Sequence, residues 1–154
     1  MYTQQDYEKV RGQRTKRLWF LIVPMIFVLG GIIWSFIARI EWLTMTLTVL
    51  GGAVFIFVFC MFISPLIAYE RHLQIALHGR TRVTKGTFKE MGDTDVLREG
   101  VRFYPLMISV GNPQDEEDDR LFYFDANLPC PDFKEGDSLT ITAHDKYMTA
   151  YEKA

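Results

Sequence analysis

The sequence predicts a membrane α-helical hairpin followed by a small all-β domain, the latter an OB-like or SH3-like barrel or a twisted meander. Three observations carry that prediction. Two long apolar runs, Leu18–Ala38 and Trp42–Tyr69, are separated only by Arg39-Ile40-Glu41. Both outer flanks of the pair are basic. Beyond residue 80 the apolar period changes from helical to alternating, punctuated by Gly92, Gly100, Gly111 and Gly136.

At 154 residues the chain has room for one membrane unit and one small domain. Its apolar content, 49%, hides a concentration of apolar residues in about one third of the length. Charge is distributed just as unevenly. Residues 1–17 are net +3, residues 70–89 are net +4, and residues 90–154 are net −9. The boundaries that follow are a basic cytoplasmic leader (1–17), a transmembrane hairpin (18–69), a helical stalk (70–79) and a cytosolic β-domain (80–154).

The leader shows no apolar period, although Tyr2 and Tyr7 could rest on a surface. Its cations, Lys9, Arg11, Arg14, Lys16 and Arg17, match Arg71, Arg80, Arg82 and Lys85 on the far side of the hairpin. Such clusters are ordinary beside membranes. Leu18–Ala38 is 21 uncharged residues, which at ~1.5 Å per residue spans the ~30 Å hydrocarbon core. A cleaved signal peptide has a shorter apolar stretch and a small-residue site after it. Here bulky Phe36-Ile37 and a second apolar run follow instead.

Trp42–Tyr69 has 28 residues, long enough to tilt or to emerge into water. Thr44, Thr46 and Thr48 can bond back to helix carbonyls. Pro24 and Pro65 are tolerable in membrane helices, and Trp19, Trp42 and Tyr69 fall at belt positions. The basic outer flanks and the neutral connection predict a two-pass protein of the plasma membrane with both termini cytoplasmic.

Gly30-Gly31 and Gly51-Gly52 lie about ten residues on either side of the turn, hence at one depth in an antiparallel pair. Close packing of the two helices is the first reading of these glycines. A homo-oligomer contact and a substrate path are the alternatives. No Asp, Glu, Lys, Arg or His lies within either span, so transport has no such ionisable residue to work with.

In the stalk, Tyr69, Leu73, Ala76 and Leu77 recur with helical spacing and Gly79 ends the run. Strands are expected near 81–91, 101–110, 120–126, 138–144 and 147–152. Gly136 is expected to supply a positive φ in the turn Phe133–Asp137.

Candidate chemistry is sparse. The acidic run Asp115, Glu116, Glu117, Asp118 and Asp119 could hold a cation or meet a basic partner. It lacks EF-hand spacing and sits where a hairpin loop belongs. His72 and His78 are six apart, a poor helical spacing for one metal site, and His144-Asp145 has no nucleophile tied to it. Cys60 and Cys130 make no disulfide framework. No phosphate loop, metal quartet or zinc-protease motif is present, so no catalytic residue, metal site or cofactor is assigned. Phe103, Tyr104, Phe122, Tyr123 and Phe124 could stack on bases, but they lie in an acidic region, and nucleic acid is not expected as a partner.

Three segments occur in order: Lys85-Gly86-Thr87-Phe88, Phe103-Tyr104-Pro105-Leu106, and Lys134-Glu135-Gly136-Asp137-Ser138-Leu139-Thr140-Ile141. Over about 60 residues they resemble a broad family of bacterial membrane-anchored β-domains of unknown function. The acidic loop, the His144-Asp145 ending and the hairpin placed before the domain depart from that pattern. The layout is also similar to the NfeD type, a membrane segment followed by a cytosolic OB-like barrel associated with membrane proteases. Neither resemblance supplies catalytic residues. The expectation is a non-enzymatic accessory or scaffold protein. Its partners would be the bilayer and another membrane or membrane-associated protein. The alternative is a ligand- or cation-sensing module built on residues 115–119.

Overall fold

The computed structural model describes residues 1–111 and 115–153, the side chain of Glu116 excepted. The chain divides into two compact units, Glu8–Ile67 and a second formed by Met1–Tyr7 together with residues 68 onward.

Two helices account for the first unit, each long and apolar enough to cross a membrane. Helix α1 runs without a break over Gln4–Ile37, so the basic leader is helical. Its start is a reciprocal cap that the sequence reading did not use. The Asp6 N–H donates to Thr3 Oγ1 (3.3 Å), and the Thr3 N–H and hydroxyl donate to the Asp6 carboxylate at 3.1 and 2.6 Å. At the other end Ile40 N donates to Ser35 O and Arg39 N to Phe36 O. With Arg39 at φ 56°, these bonds form a Schellman motif with arginine where glycine is usual.

Helix α2, Glu41–Val58, passes through a wide π turn, Phe59–Ile63, into helix α3, Ser64–His78. Pro65 explains the position of the π turn. In a regular helix its ring would clash with the Met61 carbonyl, to which it also has no N–H to offer. Ser64 N accordingly donates to Phe59 O, five residues back.

Among the contacts that join the two helices within the first unit, three stand at successive depths. Ser35 and Thr44 share a hydroxyl hydrogen bond of 2.8 Å next to the turn. Gly51 faces Val28, and a Cβ there would come within 2.7 Å of Val28 Cγ1. Arg17 Nη1 donates to Phe62 O at 3.3 Å. Of the other glycines, Gly31 faces Leu47, whereas Cβ atoms on Gly30 and Gly52 would meet open space. One glycine of each pair therefore lies on the helix–helix face.

The second unit is a small closed barrel. Its strands are β1 (Arg82–Met91), β2 (Val96–Arg98), β3 (Val101–Ser109), β4 (Asp119–Asp125), β5 (Ser138–His144) and β6 (Tyr147–Lys153). The short β2, absent from the sequence expectation, makes a hairpin with β3. The order β1-β5-β6-β4-β3 closes through an antiparallel β1–β3 pairing, bulged between Phe88 and Glu90. The β4–β6 contact is parallel, and every other pairing is antiparallel. Closure excludes an open meander and leaves no long free edge.

Gly86 permits the closure, because a Cβ there would lie 2.6 Å from Ser109 O across the seam. Gly136 has φ 90°, and its turn is tied by Asp137, which accepts from Lys134 N (2.8 Å) and Lys153 Nζ (2.6 Å). Those two donors, Lys153 first, hold the Asp137 carboxyl below its usual range.

The barrel core is Phe88, Leu106, Ile108, Phe122, Phe124, Leu139, Ile141, Ala143 and Met148. On β5 the alternation is plain, with Leu139, Ile141 and Ala143 inward. Strand β4 differs, because Phe122 to Asp125 are all buried. Its second face, with Val101 and Phe103, is covered by Ala68 and Tyr69 of α3 and by Tyr147. Helix α3 from Ala68 onward thus forms a wall of the domain, beginning two residues before the expected stalk.

Candidate functional site

The covered face of β4 carries a buried polar cluster centred on Asp125. Asp125 ends β4 fully buried. Its Oδ1 accepts from the backbone N–H and side-chain amide of Asn127, at 2.9 and 2.8 Å. Its Oδ2 accepts the hydroxyl protons of Tyr69 (2.9 Å) and Tyr2 (3.1 Å). Four donors on one carboxylate satisfy a charge that burial would otherwise make expensive.

Tyr2 also lies 3.1 Å from His72 Nε2. Since the Tyr2 proton is committed to Asp125, bookkeeping assigns the hydrogen to Nε2, with Tyr2 as acceptor. Four rings surround the imidazole: Tyr2, Phe103 and Tyr147 edge-on at 5.6, 5.1 and 5.8 Å, and Tyr69 stacked at 6.3 Å. Burial lowers the His72 pKa, and this outweighs the opposing charges of Asp125 and Glu99. Burial and then the Asp125 charge push the Tyr2 phenol up. The cluster is therefore a neutral histidine and two neutral phenols gathered on the Asp125 carboxylate. Its geometry is that of a clasp holding residues 1–7 and α3 on the barrel.

Beside the clasp is an open, polar cleft of about 630 Å³, lined by Arg98, Glu99, Tyr123, Asp145, Lys146 and Tyr147. Two tight turns form its rim. Glu99 (φ 51°) lies in the β2–β3 turn and Asp145 (φ 53°) in the β5–β6 turn, both in the left-handed region. The Arg98 guanidinium stands 5.5 Å from the Tyr123 ring centroid. Tyr147, shared with the clasp, has its phenol pushed up by burial and by the nearby Glu99 carboxylate. Two cations, two anions and two aromatic rings thus face one space, with no net charge.

The residues singled out from sequence are dispersed. Asp115 to Asp118 form a loop and short 3-10 turn before β4, which Asp119 opens, with the Glu116 side chain outside the described part. Asp119 pairs with Lys89 at 2.6 Å, Asp115 Oδ1 accepts from Glu117 N, and Arg120 donates to Glu117 O. Among the described residues no group of three or more acidic, histidine or cysteine side chains could hold a metal ion.

His144 Nδ1 donates to Arg80 O (2.7 Å), while Asp145 is 4.0 Å from Nε2. His78 is exposed on α3, apart from the ring cage around His72. Cys130 is exposed at a hollow of about 310 Å³, its Sγ 4.0 Å from Met91 Sδ. Lys9, Arg11, Lys16, Arg17, Arg71, Arg80, Arg82 and Lys85 are exposed, and Arg14 is half-buried.

Comparisons with protein-family models, with curated proteins and with solved structures return no match.

Proposed function

We propose that this chain is a non-enzymatic, two-pass membrane protein that presents its barrel to a protein partner in the cytoplasm. The observation that carries the partner reading is the charged aromatic cleft at the β2–β3 and β5–β6 turns. Counting the five barrel strands without β2, their order is 1-2-3-5-4-1 with a parallel third–fifth contact, an OB-type arrangement. Such barrels bind ligands at the loops joining strands 1–2 and 4–5. Arg98 and Glu99 belong to the first of those loops, and Asp145 and Lys146 to the second. A cleft of zero net charge in an acidic domain suits a mixed-charge polypeptide rather than a polyanion.

Membrane integration is supported by the helix surfaces. Phe20, Phe27, Phe36 and Trp42 are 87, 76, 75 and 71% exposed, each worth roughly 1.5–3 kcal/mol if removed from water. Orientation rests on the basic flanks. In a Cys60→Ser variant, Cys130 should react with an impermeant maleimide only after the cells are permeabilised. Reaction in intact cells refutes the cytoplasmic placement.

A photo-crosslinking side chain in place of Lys146 should capture a discrete partner, and one in place of Glu135, at the Gly136 turn, should not. Capture from neither position, or equally from both, refutes the cleft as the docking face. The cation-sensing alternative predicts a calcium-dependent melting shift that Asp115→Asn abolishes.

A further inference from the structure

We propose that the groove between the two apolar helices binds one anionic lipid, its headgroup on Lys16 and Arg17 and its acyl chains along the groove walls. The inference rests on the membrane reading above. The groove encloses about 900 Å³, and all of its lining lies in the first unit. That volume is within the range of small-molecule sites, roughly 300–1,000 Å³. Phe20, Val28, Leu50, Val54 and Phe62 contribute to an apolar wall, and Lys16 and Arg17 are the charged residues on it among those described.

Dimensions select a lipid. Along α1 the lining runs from Lys16 to Val28, twelve residue steps or about 18 Å at ~1.5 Å per residue, and along the second helix from Ile63 to Leu47, sixteen steps or about 24 Å. Both lengths exceed half of the ~30 Å hydrocarbon core, so the groove takes the acyl chains of one leaflet lengthwise. Val28 lies against Gly51 in its inner part. At the other end the Arg17–Phe62 O bond holds the guanidinium at the mouth. Pro65 sets that arrangement up, since the π turn it demands contains Phe62.

Charge selects an anionic one. Neither Lys16 nor Arg17 forms an ion pair among the described residues. A phosphate or carboxylate headgroup compensates both, and basic pockets between membrane helices on the cytoplasmic side bind such headgroups. A zwitterionic lipid compensates them less. A second copy of the chain seated in the groove would add its own cations at the same depth, like charge against like.

The test uses the full chain in a non-ionic detergent, titrated with phosphatidylglycerol or phosphatidylcholine and read by native mass spectrometry. One phosphatidylglycerol should be retained in about thirtyfold preference, the weight of two cations at headgroup level. Lys16→Gln should cut the preference about fivefold, and Lys16→Gln with Arg17→Gln should abolish it. Val54→Trp fills the groove from an exposed position and should lose both lipids with the cations in place.

Equal retention of the two lipids, an unchanged preference in the double variant, or full binding by V54W overturns the proposal. So does a dimer that forms in place of the lipid complex. Carbonate extraction of cell membranes separates this from the membrane reading. A chain that stays in the pellet but shows no preference overturns the lipid site alone, and a chain released by carbonate overturns both.

Discussion

Replacing Tyr2 with phenylalanine tests whether residues 1–7 are held on the barrel by the clasp. The substitution keeps the ring against His72 and removes two hydrogen bonds of 3.1 Å, one to the Asp125 carboxylate and one to His72. A bond to a charged partner contributes roughly 1.5–3 kcal/mol net and a neutral one roughly 0.5–1.5. Asp125 retains its three other donors, Tyr69 and the two nitrogens of Asn127. The lower end of the combined range, about 2 kcal/mol, is therefore the expected cost. At 1.4 kcal/mol per tenfold this is about a thirtyfold shift in the opening equilibrium.

Amide hydrogen exchange on the full chain in detergent reads that equilibrium directly. The reporters are the N–H groups of Asp6 and Tyr7, which donate to Thr3 O at 3.1 and 3.4 Å. They should exchange about thirtyfold faster in the variant, with residues 138–153 unchanged. An effect below twofold at residues 6 and 7 refutes the clasp. Equal acceleration throughout the barrel refutes its local character.

Two further predictions concern the same unit. His72 is held neutral by burial, below its ordinary value of 6.5, with Asp125, Glu99, His144 and the surrounding tyrosines as its titratable neighbours. The opened form binds a proton that the closed form does not. The clasp is therefore at full strength above about pH 6.5 and weakens as pH falls through that value, at up to about tenfold per pH unit. Exchange at residues 6 and 7, corrected for its intrinsic pH dependence, should show this slope, and His72→Gln should flatten it; a flat wild-type profile contradicts the assignment. Gly86→Ala should destabilise the barrel by about 1–3 kcal/mol, because its Cβ would lie 2.6 Å from Ser109 O and 2.9 Å from Ile108 Cδ1. An unchanged melting temperature would show that the β1–β3 seam yields more easily than its geometry implies.

Elements were more legible in the sequence than contacts. Uninterrupted apolar runs mark both long helices, and the alternation Leu139, Ile141, Ala143 marks β5, because each of these signals is local. The helical leader carried a local signal too, the capping pattern Thr3-Gln4-Gln5-Asp6, but with no apolar stripe after it that signal did not identify a helix.

The clasp was not legible. His72 was weighed against His78 along its own helix, whereas its hydrogen-bond partner Tyr2 is 70 residues away and Asp125 is bonded to Tyr2 across 123. One hint lay in Phe122-Tyr123-Phe124-Asp125. A strand with large side chains on both faces, ending in an aspartate, needs cover on its second face and donors for its carboxylate. Which residues supply them depends on closure of the barrel, a non-local fact. The acidic loop is the opposite case, plain in composition while the pairing of its members was not. Its composition is conspicuous, but Asp119 is spent on Lys89.

The Tyr2–Asp125 bond also orders events during synthesis. Tyr2 is made before its acceptor, which follows 123 residues later in the chain. At roughly 5–20 residues per second this delay lasts on the order of ten seconds. Both apolar helices are translated in the interval. Residues 1–7 must therefore wait for their acceptor while the intervening helices are made, and they seat on the barrel only once β4 is in place. A bulky group attached within that segment would obstruct this seating while leaving the steps before it intact.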